Sequence, residues 1–227
     1  MHIILVFTYG ISLKNWDESG ILHREMKLYK TMNKQYSINY TFVTFGDEED
    51  EEYCDLIEGL TIIPIYKHRK KSKYKIIDLI RTISITKNIV KTIKDPTHIK
   101  TNQLNGAWVA MMIKLYSKLP LYVRTGYNLF EFAIREKKSF MKKIFYYMLT
   151  QIALIYSNNY SVTSLSDKKF LEKYFITKKI EVIPNWIVDT KLNSFENRHK
   201  NKIISVGRLE AQKNYESLIK SLSGTNI

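Results

Sequence analysis

Cysteine is almost absent. Cys54 stands alone in a chain of 227 residues, so no internal disulfide can form. With no Cys-x-x-Cys pair and no Cys/His cluster, a zinc site is not expected, and a reducing, cytoplasmic compartment fits best. Long hydrophobic runs are missing as well. No stretch approaches the ~18 consecutive apolar residues of a membrane span. The opening MHIILVFTYG is apolar but lacks a basic leader and a cleavage site, which excludes the usual signal-peptide layout and leaves a first β-strand. No internal repeat is present, and no pair of carboxylates is spaced for acid–base work. Asp17 and Glu18 are adjacent and would diverge on a helix.

Acidic residues are in deficit. Thirty-six Lys and Arg face 22 Asp and Glu, a net charge of +14. Such a balance suits nucleic acid, an anionic membrane surface or a phosphorylated substrate. The charge is also blocked: six acids run from Asp47 to Glu52, and Lys67, Arg69, Lys70, Lys71, Lys73 and Lys75 crowd the stretch 67–75. Both blocks read as solvated loops of opposite sign. Nucleic-acid binding calls for cations interleaved with stacking aromatics, and only Tyr66 and Tyr74 flank this block, so nucleic acid is not an expected partner.

Apolar segments rich in Ile, Val, Tyr and Phe alternate with segments of helical period. Strands are expected at His2–Thr8, Ile38–Phe45, Leu60–Ile65, His98–Thr101, Leu121–Arg124, Tyr160–Thr163, Ile180–Ile183 and Lys202–Val206. Helices are expected at Glu18–Asn33, Tyr74–Lys91, Leu104–Ser117, Leu129–Tyr156 with a break near Lys138, Asp167–Tyr174 and Asn214–Leu222. This order predicts an α/β fold: a Rossmann-like, doubly wound parallel sheet covered on both faces. Residues 1–185 hold enough strands for one complete domain. The polar stretch 186–201 reads as an interdomain linker. Residues 202–227 supply one strand and one helix, too little for a core of their own, and read as the start of a truncated second Rossmann domain.

Three segments carry candidate chemistry. In KIISVGRLEAQKNYESLI, a strand opens into Gly207-Arg208-Leu209, Lys213 lies five residues beyond the arginine, and a helix follows. A guanidinium forks onto phosphate oxygens, a lysine adds a mobile charge, a glycine lets backbone approach, and a helix start adds free N–H groups. The plainer alternative is an exposed Arg and Lys on a loop. In TYGISLKNWDESGILHREM, Asp17 is placed to cap a helix, and Gly20 lies in its first turn. In TNQLNGAWVAMMIKLYSKLPLYVRTGYNLF, the carboxyl ends of two strands bring Gln103, Asn105, Arg124 and Tyr127 where open parallel sheets bind ligands. These four can hydrogen-bond a polyol or phosphate, or equally form a buried amide pair beside a surface arginine. A further stripe, Met141, Ile144, Phe145, Met148, Leu149, Ile152 and Ile155, runs along one helix whose start carries Lys137, Lys138, Lys142 and Lys143. It either packs on the sheet or lies on anionic lipid.

The junction VIPNWIVDT…F followed by IISVGRLEAQKNYESLIKSL resembles that of family 4 glycosyltransferases, retaining enzymes of the GT-B fold. Pro184, Asn185, Asp189 and Phe195 match the first part; Gly207, Arg208 and Lys213 match the second. The resemblance implies that Gly207, Arg208 and Lys213, with Gly20, hold the diphosphate of a nucleotide-sugar donor. It implies that Gly10, Asp17, Gln103, Asn105, Arg124 and Tyr127 face the acceptor, lipid-linked or polysaccharide. No metal or other cofactor is implied, and a peripheral seat on the inner membrane face, through the four lysines, is. Many members carry a histidine near the position of Gly126 or Tyr127; this chain has none. The pair of glutamates that the family carries well past Gly-Arg-Leu has no counterpart before Ile227. The chain is therefore expected to be inactive alone, or completed by a second chain. A non-catalytic remnant, a partner subunit, and a basic membrane- or nucleic-acid-binding domain remain as alternatives.

Overall fold

A computed structural model describes residues 1–67, 70–187, 202–207, 209 and 213–223. It has two compact units, Met1–Trp186 and Ile187–Ile227. In chain order the first unit contains β1 (His2–Val6), α1 (Leu13–Glu18), α2 (Leu22–Tyr36), β2 (Asn39–Thr44), a 3-10 helix (Glu48–Leu56), β3 (Thr61–Pro64), α3 (Lys75–Thr92), β4 (His98–Thr101) and α4 (Ala107–Ser117). Then follow β5 (Leu121–Thr125), α5 (Leu129–Arg135), α6 (Phe140–Tyr156), β6 (Asn159–Val162), α7 (Leu165–Tyr174) and β7 (Ile180–Val182). The second unit contributes α8 (Tyr215–Leu222).

The seven strands form one sheet in the order β3-β2-β1-β4-β5-β6-β7, with every pairing parallel. The direction of winding reverses between β1 and β4, so a crevice opens beyond the carboxyl ends of these two strands. The expected Rossmann-like domain and its seven strands are present.

Burial differs across the sheet. In β1 and β2 consecutive residues are buried, Ile4, Leu5 and Val6 in one and Tyr40 to Thr44 in the other. Tyr29 of α2 packs edge-on against Tyr40 and Phe42, and Trp16 of α1 lies 4.5 Å from Phe7. In β4 to β6 the pattern alternates. Ile99, Leu121, Val123, Tyr160 and Val162 are buried, whereas Tyr122 is 39% exposed and Arg124, Asn159 and Ser161 are half-buried. Helices flank the sheet, and their cover of its second face is closer at β1 and β2 than at β5 and β6. The β4 and β6 sequences, HIKT and NYSV, alternate polar with apolar, as half-solvated strands do.

Four local expectations need correction. The helix expected at Glu18–Asn33 starts only at Leu22, and an unexpected short helix, α1, precedes it, with Gly20 at φ +69° turning the chain between the two. Asp17 caps no helix: it lies inside α1, which Ser12 caps in a reciprocal capping box with Asn15, and α2, with Leu22, Met26 and Tyr29, starts after Ile21 without a side-chain cap. The acid run is a 3-10 helix rather than a solvated loop, and Asp50 within it is buried. Lys202–Val206 forms no strand: it is exposed and has no ladder partner among the described residues, and a strand needs one. The break expected near Lys138 does occur, with Lys137 in the left-handed region at φ +51°.

Candidate functional site

The loops beyond β1, β4 and β5 are tied into one crest. The Asn102 N–H donates to the Val6 carbonyl at 2.8 Å, and the Tyr9 N–H to the Asn105 carbonyl at 2.9 Å. Directly after Asn105, Gly106 sits at φ +104°, where a Cβ would lie 2.8 Å from the Phe7 carbonyl oxygen and 3.0 Å from the Tyr9 nitrogen. Only glycine fits there, and the close approach it permits holds the β1 and β4 loops together. Gly10, one residue on from Tyr9, has φ +76° and lies in the loop beyond the carboxyl end of β1.

Gln103 carries the link to β5. Its Oε1 accepts the Gly126 N–H at 2.7 Å, and its amide nitrogen lies 3.0 Å from where a Gly126 Cβ would be. A side chain at 126 is therefore obstructed by the glutamine, which occupies the place where a larger residue would stand. The Thr101 hydroxyl accepts from the Arg124 N–H at 3.0 Å, and the Thr163 hydroxyl donates to the Gly126 carbonyl at 3.1 Å. The Arg124 guanidinium donates to Asn185 Oδ1 at 2.6 Å, joining β5 to the segment after β7. Tyr127 packs edge-on against Phe132, 5.3 Å between ring centres. Gly10, Gln103, Asn105, Arg124 and Tyr127 thus all stand on carboxyl-terminal loops or strand ends of neighbouring strands. Asp17 instead accepts from the Tyr53 hydroxyl at 3.1 Å, beside the 3-10 helix. Gly20 has no atom within 4 Å of its Cβ position.

Sequence reasoning missed a second polar centre on the same side of the sheet. Asp78, on the first turn of α3, is fully buried, and its carboxylate takes three donors. These are the hydroxyls of Tyr9 (2.8 Å) and Tyr66 (2.6 Å) and the Ser72 N–H (2.9 Å). Burial alone would raise this carboxyl; the hydrogen bonds from Tyr66, Ser72 and Tyr9 and the nearby Lys71 charge outweigh it and hold it below its ordinary value. Burial and the bond to Asp78 in turn push the Tyr9 phenol up to about 12. A carboxylate so fully engaged is an anchor, not a proton shuttle. The sequence signal was a lone Asp between Ile77 and Leu79 on an otherwise apolar helix start. Lys100, on β4, is half-buried, and its ammonium is pushed down to about 8 by loss of water around it and by the Arg124 charge, with Glu25 opposing.

In the second unit, a Cβ at Gly207 would lie 2.8 Å from the Tyr215 hydroxyl and 3.5 Å from the Lys213 stem, so Gly207 and Lys213 are neighbours. Arg208, Asp189 and Phe195 lie outside the described residues. Most of the α6 stripe faces outward, as Met141 (73% exposed), Met148 (49%), Ile152 (46%) and Ile155 (48%) do along with Phe140 (74%), while Leu149 of the stripe faces the domain with Thr150, Ala153 and Leu154. Among the described residues no three His, Cys, Asp or Glu converge as metal ligands, and no helix is long and apolar enough to cross a membrane.

Two solved structures are similar in fold. Sucrose-phosphate synthase from Thermosynechococcus elongatus matches with a TM-score of 0.57 at 12% identity, over 81% of this chain and 48% of that one. The lipopolysaccharide outer core galactosyltransferase WaaB, in its apo form, matches with a TM-score of 0.53 at 11% identity, over 87% of this chain and 50% of that one. The likeness is one of fold, an all-parallel Rossmann-like sheet flanked by helices. The chain spans about half the length of both neighbours. No family model matches it, and no curated protein does.

Proposed function

We propose that this chain forms the acceptor-binding side of a glycosyltransferase that moves a sugar from a nucleotide-sugar to a lipid-linked or polysaccharide acceptor. The observation that carries this reading is the polar crest at the β1–β4 reversal, in a fold similar to two glycosyltransferase structures over more than four-fifths of the chain. Ligands of open parallel sheets bind at that reversal. There the Gln103 amide nitrogen, the Asn105 side chain and the Arg124 guanidinium offer donors suited to sugar hydroxyls or phosphate. Gly10 and Tyr127 shape the rim. For the donor, Gly207, Arg208 and Lys213 of the second unit are the residues that would receive the diphosphate. Arginine and lysine charges there stabilise the departing diphosphate, a task that requires no metal.

Because the chain spans about half of its structural neighbours, this reading assigns the donor's base, ribose and sugar contacts to residues beyond these 227, and it expects little transfer from them alone. The outward apolar face of α6, with Lys137, Lys138, Lys142 and Lys143 around its start, supports a peripheral seat on anionic lipid, where a lipid-linked acceptor would be met. The test is genetic and chemical. Disrupting the chain in its own cell should remove one surface glycan or glycolipid species; the wild-type chain should restore it, and Arg208→Ala with Lys213→Ala should not. An unchanged glycan profile after disruption rejects the reading.

A further inference from the structure

The basic run 67–75 does not behave uniformly. Lys67 pairs with Glu51 at 2.7 Å, and across the same rim Lys14 pairs with Glu49, so the acid helix neutralises these two. Lys70 and Lys71, with Arg81 of α3, have no carboxylate at ion-pair distance among the described residues, yet they are held in place. The Ser72 N–H is fastened to Asp78 at 2.9 Å, which fixes the backbone directly after Lys71. Lys71 Nζ then lies 3.6 Å from where a Gly10 Cβ would be, and 5.7 Å from the centre of the Tyr9 ring. Lys70 and Arg81 line a cleft together with Tyr66 and Asp78.

Lys71 thus acts on a carboxylate that is already occupied by two phenols and an amide, and Lys70 and Arg81 line the cleft that this carboxylate also lines. The carboxylate anchors the loop and leaves the cations available. The ammonium of Lys71 faces bare backbone at a positive-φ glycine, at the mouth of the crevice where the winding reverses. An exposed cation cluster set against side-chain-free backbone suits a phosphoryl group: the lysines and arginine supply charge-assisted donors, and glycine lets the anion approach the chain.

We propose that Lys71, supported by Lys70 and Arg81, forms a phosphate-binding site against Gly10, and that the acceptor carries the phosphoryl group it binds. The word acceptor rests on the glycosyltransferase reading; the anion site rests on the geometry alone.

Amide NMR of the full chain titrated with inorganic pyrophosphate tests the site. Saturable shifts are expected at Gly10, Lys71 and Ser72. Lys71→Gln should weaken binding by about tenfold or more, the scale of one hydrogen bond between charged groups, and Lys71→Arg should retain most of it. Lys213→Gln, in the other unit, should leave these shifts unchanged. No saturable shift at Gly10, or equal affinity in Lys71→Gln, overturns the site. A short-chain prenyl phosphate and uridine diphosphate separate the two sources of phosphate. Shifts at Gly10 with the prenyl phosphate support the acceptor assignment; shifts there with the nucleotide only overturn it. The glycan profile judges the wider reading separately: pyrophosphate binding at Gly10 with an unchanged profile upholds the site and rejects the enzyme, and the reverse outcome rejects the site alone.

Discussion

Removing the Asp78 carboxylate should loosen the crest in a way that acid reproduces. The side chain accepts from Tyr9, Tyr66 and Ser72, which belong to the β1 loop, the end of β3 and the basic loop. A hydrogen bond to a charged group contributes about 1.5–3 kcal/mol, and the three are not additive because the freed phenols can reach water near the rim. Asp78→Ala should therefore cost about 3–5 kcal/mol, and Asp78→Asn, which keeps one acceptor oxygen, about 1–3 kcal/mol. The folded-state pKa of Asp78 lies below its ordinary 3.8. Its contribution to stability is thus complete above that value and drains away as pH falls through the folded pKa. Asparagine does not titrate, so the gap between wild type and Asp78→Asn should be largest near neutral pH and narrow in acid. Urea unfolding followed by circular dichroism across that range reads both quantities. A gap below about 0.5 kcal/mol at neutral pH, the ordinary size of a surface change, would refute the anchor role. So would a gap that widens in acid.

Three other perturbations follow from the geometry. Gly106→Ala forces a Cβ against the Phe7 carbonyl at φ +104°, and should lower the thermal midpoint by the equivalent of several times the ~1 kcal/mol that a mere glycine-to-alanine entropy effect can move; an unchanged midpoint contradicts the close approach. Lys100 has a folded pKa of about 8 against an ordinary 10.5, so the folded state binds fewer protons between these values and stability should rise as pH climbs through that window. Lys100→Met should abolish the rise and stabilise the protein at pH 7 by up to about 3 kcal/mol, read by urea unfolding; a destabilised, still pH-dependent variant contradicts it. Changing Lys137, Lys138, Lys142 and Lys143 together to Gln should remove most co-sedimentation with anionic vesicles, at about 1 kcal/mol per lysine, and salt should weaken wild-type binding in the same direction; unchanged co-sedimentation leaves the α6 face without a lipid role.

The sheet was legible because its strands are short apolar runs bounded by turn residues, and all seven of the first unit were readable that way. Its uneven coverage was written in the same strands: HIKT and NYSV alternate, whereas NYTFVT does not, and attention to period rather than overall hydrophobicity separates them. Gly20 lies in a helical pattern and was read as part of a helix; its positive φ depends on how α1 and α2 pack, which no local pattern encodes. The acid run showed its charge but not that Asp50 turns inward. Gln103, Asn105, Arg124 and Tyr127 were findable because strand ends are, and parallel topology does the rest. The Asp78 centre was not, since its donors come from positions 9, 66 and 72, and only the folded sheet brings them to one carboxylate. The same long-range assembly sets Lys71 of the basic loop against Gly10.

The central claim, that the β1–β4–β5 crest receives a sugar acceptor, is tested most directly by photo-crosslinking. The probe is a short-chain prenyl diphosphate sugar with a photoreactive group on the sugar, mapped on the chain by mass spectrometry. The account predicts cross-links within residues 7–11, 102–108 and 124–128, competed by the unlabelled compound and lost on changing Gln103 and Arg124 to Ala. Cross-links confined to α6, or none that the unlabelled compound competes, would contradict it.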